Sequence, residues 1–273
     1  MTPDELTHWQ SWCAKPEWRE EVLHGPDVLR LAEALSWDAD ALGWPPLGHL
    51  ALFLPPPGPR GVDGHPVRGG FFPPVSLPRR MFASADYGFH RPLIAGMPAM
   101  QMRVLESLTP KTGKTGTLLL GTVRIEIWQE GEKALEEVQT IVWRDASPAQ
   151  PPELPPAPMP VPASPPPVGD AVFTPGPVQL FLFSSATANA HRIHYDLAYA
   201  QGEEGYPGLV VHGPLVAAQL LGLWERRHGP ARRFSFRAQA PLFAGQPIAL
   251  AAADDGLQAL RCDGTVALTA TTG

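Results

Sequence analysis

The stretch GPLVAAQLLGLWERRHG, residues 213–229, reads as the strongest helix of the 273-residue chain. Pro214 suits the first turn, where the backbone N–H it lacks would have no intrahelical acceptor. Arg226, Arg227 and His228 put positive charge at the C-terminal end of the helix dipole, and Gly229 supplies a cap. Between these ends the residues are apolar almost all the way round, which predicts a buried helix. Strand-like segments follow at about 232–241, 246–253, 257–262 and 264–271. One buried helix and then consecutive strands predict an α+β unit in which an antiparallel sheet wraps the helix.

The same unit is foreshadowed upstream. Arg79-Arg80 leads to RPLIAGMPAM at 91–100, and Arg232-Arg233 leads to APLFAGQPIA at 240–249. The shared kernel Pro-Leu-x-Ala-Gly-x-Pro fits a glycine turn whose second proline starts a strand. Recurrence at this long interval predicts a pseudo-dimer of two similar halves, since solenoid repeats are far shorter. Residues 117–128, TLLLGTVRIEIW, and 134–144, ALEEVQTIVWR, alternate apolar and polar around QEGEK and predict an antiparallel hairpin. Thr2, Pro3 and Glu5 form a capping-box pattern for a first helix, and a second is expected from Asp27 with Val28, Leu31, Ala32 and Leu35 on one face. The proline-rich run at 147–167 predicts a semi-rigid linker, because proline supplies no sheet donors. The expected organisation is 1–146 as one half, 147–170 as linker and 171–273 as the other.

Composition narrows the function. A net charge of −6 and the lack of a basic face argue against nucleic acid as a partner. No apolar run approaches a bilayer span, and MTPDEL lacks a basic leader, so a soluble, cytoplasmic protein is expected. Cys13 and Cys262, near opposite ends, suggest reduced thiols. No P-loop, G-x-S-x-G elbow or GxGxxG fingerprint is present.

The residues suited to chemistry are histidines. His191 and His194 stand in TANAHRIHYD, residues 187–196, and His212 precedes Gly213 at the start of the buried helix. Free N–H groups at that helix start can stabilise an oxyanion, and a nearby histidine can move a proton near neutral pH. The HxxH spacing lacks a third ligand, so no metal is expected.

The stretch resembles the hydratase-2 (MaoC-like) motif, D-x-N-P-(Ile/Leu)-H, which falls on Asn189 to His194. Val210-Val211-His212-Gly213 is similar to that family's His-Gly helix start. DGHPVRGGFFPPVSLPRRM at 63–81 and EGYPGLVVHGPL at 204–215 resemble the mesaconyl-C4-CoA and itaconyl-CoA hydratases and the hydroxyacyl-thioester dehydratases. The resemblance implies a tandem hot-dog fold and reversible hydration of a short, dicarboxylic α,β-unsaturated acyl-CoA. It implies no cofactor beyond the CoA thioester, which is the substrate, and a monomeric pseudo-dimer or a homodimer. His194 matches the catalytic histidine, and the Gly213 N–H would polarise the thioester carbonyl. Asn189 stands where the family carries an acid. An amide cannot transfer protons at neutral pH, which leaves His194 alone, or helped by Asp196 or His191. A fatty 3-hydroxyacyl-thioester dehydratase, a hot-dog thioesterase and a non-catalytic acyl-CoA binder stand as alternatives; the missing carboxylate at 189 motivates the binder and counts against the thioesterase. Arg192 and Arg68 are the candidate cations for a substrate carboxylate, with His191 and His212 lining the pocket.

Overall fold

The computed structural model describes residues 1–113, 116–145, 169–253 and 256–273. The linker expected at 147–170 lies almost wholly outside the described residues.

The chain forms two units. The first holds Met1–Leu23, Pro57–Val62 and the chain from Pro66 through the hairpin. Its elements are α1 (Pro3–Gln10), β1 (Glu17–Val22), β2 (Arg79–Phe89), β3 (Pro98–Gly113), β4 (Gly116–Gln129) and β5 (Glu132–Arg144). The capping box at α1 forms: Thr2 Oγ1 accepts from the Glu5 N–H, and Glu5 accepts from the Thr2 N–H at 2.7 Å. The strands pair antiparallel in the order β1-β3-β4-β5-β2. Glu130 and Gly131, both at positive φ, turn β4 into β5. Trp9 of α1, with Val75 and Leu77, packs onto Leu105, Leu119, Val123 and Trp143 of this sheet.

The second unit holds His24–Pro56, Asp63–His65 and the described chain from Gly169 to Gly273. Its elements are α2 (Gly25–Leu35), α3 (Ala39–Leu42), β6 (Ala171–Phe173), α4 (Pro177–Ala186), α5 (Leu197–Gly202), α6 (Gly213–His228), β7 (Arg233–Ala238), β8 (Ile248–Ala253), β9 (Gly256–Leu260) and β10 (Val266–Thr272). The strand order β6-β8-β9-β10-β7 reproduces that of the first unit. The repeated kernels occupy matching places. Gly96 at φ +82° and Gly245 at φ +80° make the turn that delivers the chain to β3 and to β8. A left-handed backbone at that corner favours glycine in both copies.

α6 is the predicted helix, ended by Gly229 at φ +83°. Leu215, Leu220 and Leu221 are fully buried, and α6 packs on β7, β8, β9 and β10. Each large side chain buried there contributes about 1.5–3 kcal/mol of transfer free energy.

The halves do not follow the expected cut at 146. α2 belongs to the second unit, where Gln179 and Gln219 donate side-chain N–H groups to the Ala34 and Leu35 carbonyls at 2.9 and 2.7 Å. Leu31, Ala34 and Leu35 are buried. The reason is that α2 is amphipathic and its apolar stripe is covered by α4 and α6. No described helix is long and apolar enough to cross a membrane.

Candidate active site

The motif segment begins where α4 stops. Ala188, at φ +49°, reverses the chain, and the Asn189 N–H returns to the Ser184 carbonyl at 2.9 Å. Asn189 Oδ1 then accepts the His191 N–H at 3.1 Å, a local side-chain turn. Residues 192–194 form one 3₁₀ turn, after which Asp196 caps α5 by accepting the Tyr199 N–H at 3.0 Å. The second wall is the segment 209–212. It runs beside the repeated kernel, with the Val211 N–H on the Leu242 carbonyl and the Ala244 N–H on the Leu209 carbonyl. The kernel therefore holds His212 at the mouth of α6. The Val210 N–H also reaches the Ile193 carbonyl at 2.9 Å, which joins the two walls.

A third strand of chain completes the site. The Arg192 N–H donates to the Asp63 carbonyl at 2.9 Å. Gly64, at φ +87°, passes so close that a Cβ there would lie 1.7 Å from the Ala190 oxygen. Asp63 and His65 are thereby set against the motif.

The outcome is a row of four imidazoles. The His65 ring lies 4.2 Å from that of His191, and the His191 ring meets that of His194 edge-on at 5.7 Å. The His194 and His212 rings stack at 3.6 Å. Asp63 Oδ2 stands 3.0 Å from His65 Nδ1 at one end, and Ser184 Oγ stands 2.9 Å from His212 Nε2 at the other. Among the described residues no group of three or more His, Cys, Asp or Glu is arranged to hold a metal.

Within this row the hydrogen bonding of His194 leaves one ring nitrogen able to accept a proton. Its Nδ1–H donates to the Val210 carbonyl at 2.7 Å, which fixes the tautomer and leaves the lone pair on Nε2. Burial pushes its pKa down to about 4; the Val210 carbonyl opposes this and His65 adds to it. Burial, then the charges of His194 and His191, holds His212 well below the usual histidine range. Both rings are therefore neutral at neutral pH.

This has a consequence for stability. In the unfolded chain these histidines titrate near 6.5, and in the folded chain they resist protonation. The unfolded state then binds more protons below that value, so stability is full above it and falls as pH drops towards about 4. Urea midpoints measured along that descent should decline, and the decline should be shallower in His194→Gln. A decline of equal steepness in that variant would remove His194 from the account.

The other expected residues have distinct placements. Gly213 is the first residue of α6, and a Cβ there would meet no atom within 4 Å, so packing does not demand its glycine. Arg192 pairs with Asp196 at 2.7 Å and lies over the Tyr199 ring at 4.3 Å. Arg68 belongs to the first unit and has a different task from the one expected. Its guanidinium donates to the carbonyls of Val75, Leu77 and Pro78, so it clamps its own loop. The sequence reading did not single out His65, Asp63 or Ser184. The only available signal for the first two was the quoted DGHPV, far from the motif in the chain.

The comparisons with known proteins agree with this picture. The chain is 44% identical over 278 residues to the mesaconyl-C(4)-CoA hydratase of Chloroflexus aurantiacus, an alignment that covers 96% of each. The solved structure of HtdX from Mycobacterium tuberculosis superposes with a TM-score of 0.68 at 20% identity, over 93% of this chain and 98% of that one. A second Mycobacterium tuberculosis protein, described as having a double hotdog fold, gives a TM-score of 0.51 at 16% identity, with 97% of each chain covered. These establish the α+β double hot-dog architecture. The family model for hydroxyacyl-thioester dehydratase type 2 matches residues 43–244, and the chain belongs to that family.

Proposed function

We propose that this enzyme adds water reversibly across the double bond of a short, dicarboxylic α,β-unsaturated acyl-CoA of the mesaconyl-C4-CoA type. The observation that carries the reading is the geometry of His194, a buried imidazole whose Nδ1–H is committed to Val210 and whose Nε2 is left basic. In hydration Nε2 takes a proton from water as the oxygen bonds to the β-carbon. The electron pair of the double bond moves to the thioester oxygen. That oxygen is received at the N-terminus of α6, where the Gly213 N–H and the helix dipole favour negative charge. The α-carbon then takes a proton and the thioester is restored.

The substrate class is supported by the 44% identity to the Chloroflexus aurantiacus enzyme. Of the two expected cations, Arg192 lies within the motif, and a substrate carboxylate would compete there with Asp196. The reading requires no cofactor other than the CoA thioester that is the substrate. It places the enzyme in the cytoplasm as a monomeric pseudo-dimer or a homodimer.

The test is direct. Purified protein mixed with mesaconyl-C4-CoA should bleach the enoyl-thioester absorbance, and crotonyl-CoA should be turned over more slowly. Absence of turnover with every short unsaturated mono- and dicarboxylyl-CoA would refute the reading. Release of free thiol without loss of the double bond would replace it by a thioesterase.

A further inference from the structure

Hydration as proposed puts a proton on His194, yet a second imidazole lies flat against that ring. His212 stacks on His194 with ring centres 3.6 Å apart and planes 19° from parallel. A proton added to such a pair has two rings to choose between, and groups this close titrate as a unit. Only on His194, whose Nε2 faces the chemistry, is that proton of service. The two rings are not equally prepared to hold it.

His194 is equipped to become a cation, because its Nδ1–H already has an acceptor in the Val210 carbonyl at 2.7 Å. His212 is not. It is 1% exposed, and among the described residues its Nδ1 has no hydrogen-bond partner. Nor does the ring serve the helix it precedes: His212 is the N-cap of α6, and its side chain makes no capping bond there. Its polar contact is at Nε2, with Ser184 Oγ at 2.9 Å. Ser184 is itself buried, and His212 is the one partner of its hydroxyl among the described residues. The direction of the bond follows from counting. If Nε2–H donated to Oγ, both the hydroxyl hydrogen and the Nδ1 lone pair would be buried and unmet. If the hydroxyl donates to Nε2, only Nδ1–H is unmet, and each buried donor without an acceptor costs about 1–3 kcal/mol.

We propose that Ser184 is a positioning residue of this site: by donating its O–H to His212 Nε2 it fixes the stacked ring as the Nδ1–H tautomer and confines the working proton to His194. The inference rests on the hydratase reading for the use of that proton. A proton entering His212 would have to take Nε2. It would turn the hydroxyl round, strand its hydrogen, and leave a cation with an N–H at Nδ1 that nothing accepts. α4 thus acts on the site twice, since the Ser184 carbonyl also receives the Asn189 N–H at 2.9 Å. Phe183, the residue before, packs on the His212 ring at 4.8 Å.

The titratable groups facing the pair are histidines. His191 meets His194 edge-on at 5.7 Å, and His65, itself beside Asp63, acts on His194 from beyond it. α6 presents the positive end of its dipole to His212. No carboxylate among the described residues is bonded to either stacked ring. Burial leads in lowering the proton affinity of both; the Val210 carbonyl counters it at His194, whereas His194 and His191 add to it at His212. Water's proton therefore stays on His194 Nε2 as the oxygen bonds to the β-carbon. In the reverse direction the same ring supplies it to the departing hydroxide.

The full chain, isotopically labelled at its histidine nitrogens, reports the tautomer directly by NMR, with His212→Gln assigning the signals. At neutral pH His212 should carry its hydrogen on Nδ1, and in Ser184→Ala it should become a mixture of the two tautomers. With mesaconyl-C4-CoA, Ser184→Ala should lower kcat about tenfold, the worth of one buried hydrogen bond, while KM changes only a few-fold. The acid limb of its kcat profile should move to higher pH, because His212 then competes for the proton. Ser184→Thr, which keeps the hydroxyl, should hold the wild-type tautomer and limb. Melting temperatures near that of the wild type establish that the variants fold. A wild-type His212 with its hydrogen on Nε2 overturns the assignment, as does a folded Ser184→Ala variant whose acid limb has not moved. A wild-type protein that turns over no unsaturated thioester overturns the hydratase reading instead, and the tautomer measurement still decides what Ser184 does to His212.

Discussion

Replacing His194 by alanine should lower kcat/KM for hydration by about three to four powers of ten, the scale of losing a positioned general base. The expectation follows from the atoms around it. Nε2 of His194 is left as an acceptor once Nδ1–H is committed to Val210, and the His212 ring stacked on it is engaged through its own Nε2 with Ser184. The fold should survive, because the ring makes one hydrogen bond, to Val210, while the backbone ties of Ile193 and Val210 remain. Circular dichroism should be unchanged and the thermal midpoint only modestly lowered. A variant retaining a tenth of the wild-type rate would show that another group is the base.

The second large effect is expected at Gly64→Ala. The new Cβ would meet the Ala190 oxygen at 1.7 Å and its carbonyl carbon at 2.8 Å, and both are backbone atoms that cannot rotate away. The φ of +87° adds strain for any L side chain. Together they should cost about 3 kcal/mol or more of stability. The rate should fall about a hundredfold even in protein that remains folded, since displacement of the motif by about an ångström spoils the approach of the reacting groups. Gly69→Ala is the control. Its φ is +98°, yet a Cβ there meets nothing within 4 Å, so only the backbone strain is felt. Equal losses from the two substitutions would refute the close-approach argument.

How far the chain could be read before folding depends on the range of the interactions. α6, the β4–β5 hairpin and the capping box of α1 were legible because their determinants are local: an apolar run between caps, strict alternation, and side chains three residues apart. The duplication was legible because the glycine at each kernel answers a local backbone need, and the structure shows matching strand orders behind it. Membership of α2 was not legible. Its amphipathic stripe announced a helix, but nothing within Gly25–Leu35 says that Gln179 and Gln219 will meet its last carbonyls.

The site divides in the same way. His191, His194, His212 and Gly213 were marked out by one short motif and one helix start, and the structure brings the three histidines together. His65 joins them through contacts made across more than a hundred positions of chain, which no local pattern encodes. Arg68 shows the converse. A charged residue in a glycine-rich loop looks like a ligand anchor, and only the carbonyls of Val75, Leu77 and Pro78 reveal that it fastens the loop.

The placement of α2 also governs how the protein can be made. The helix is synthesised well before the partners of its buried face, which lie 145 and 184 positions later in the chain. Until α4 and α6 have been synthesised, Leu31 and Leu35 have nothing to pack against, and the helix must wait with its apolar stripe in water. The second unit cannot close until β10 has been synthesised, because that strand sits between β7 and β9. Loops of this length close slowly and lengthen the interval in which a nascent chain can aggregate. Pulse-labelled synthesis should show the first unit protected from protease well before the second.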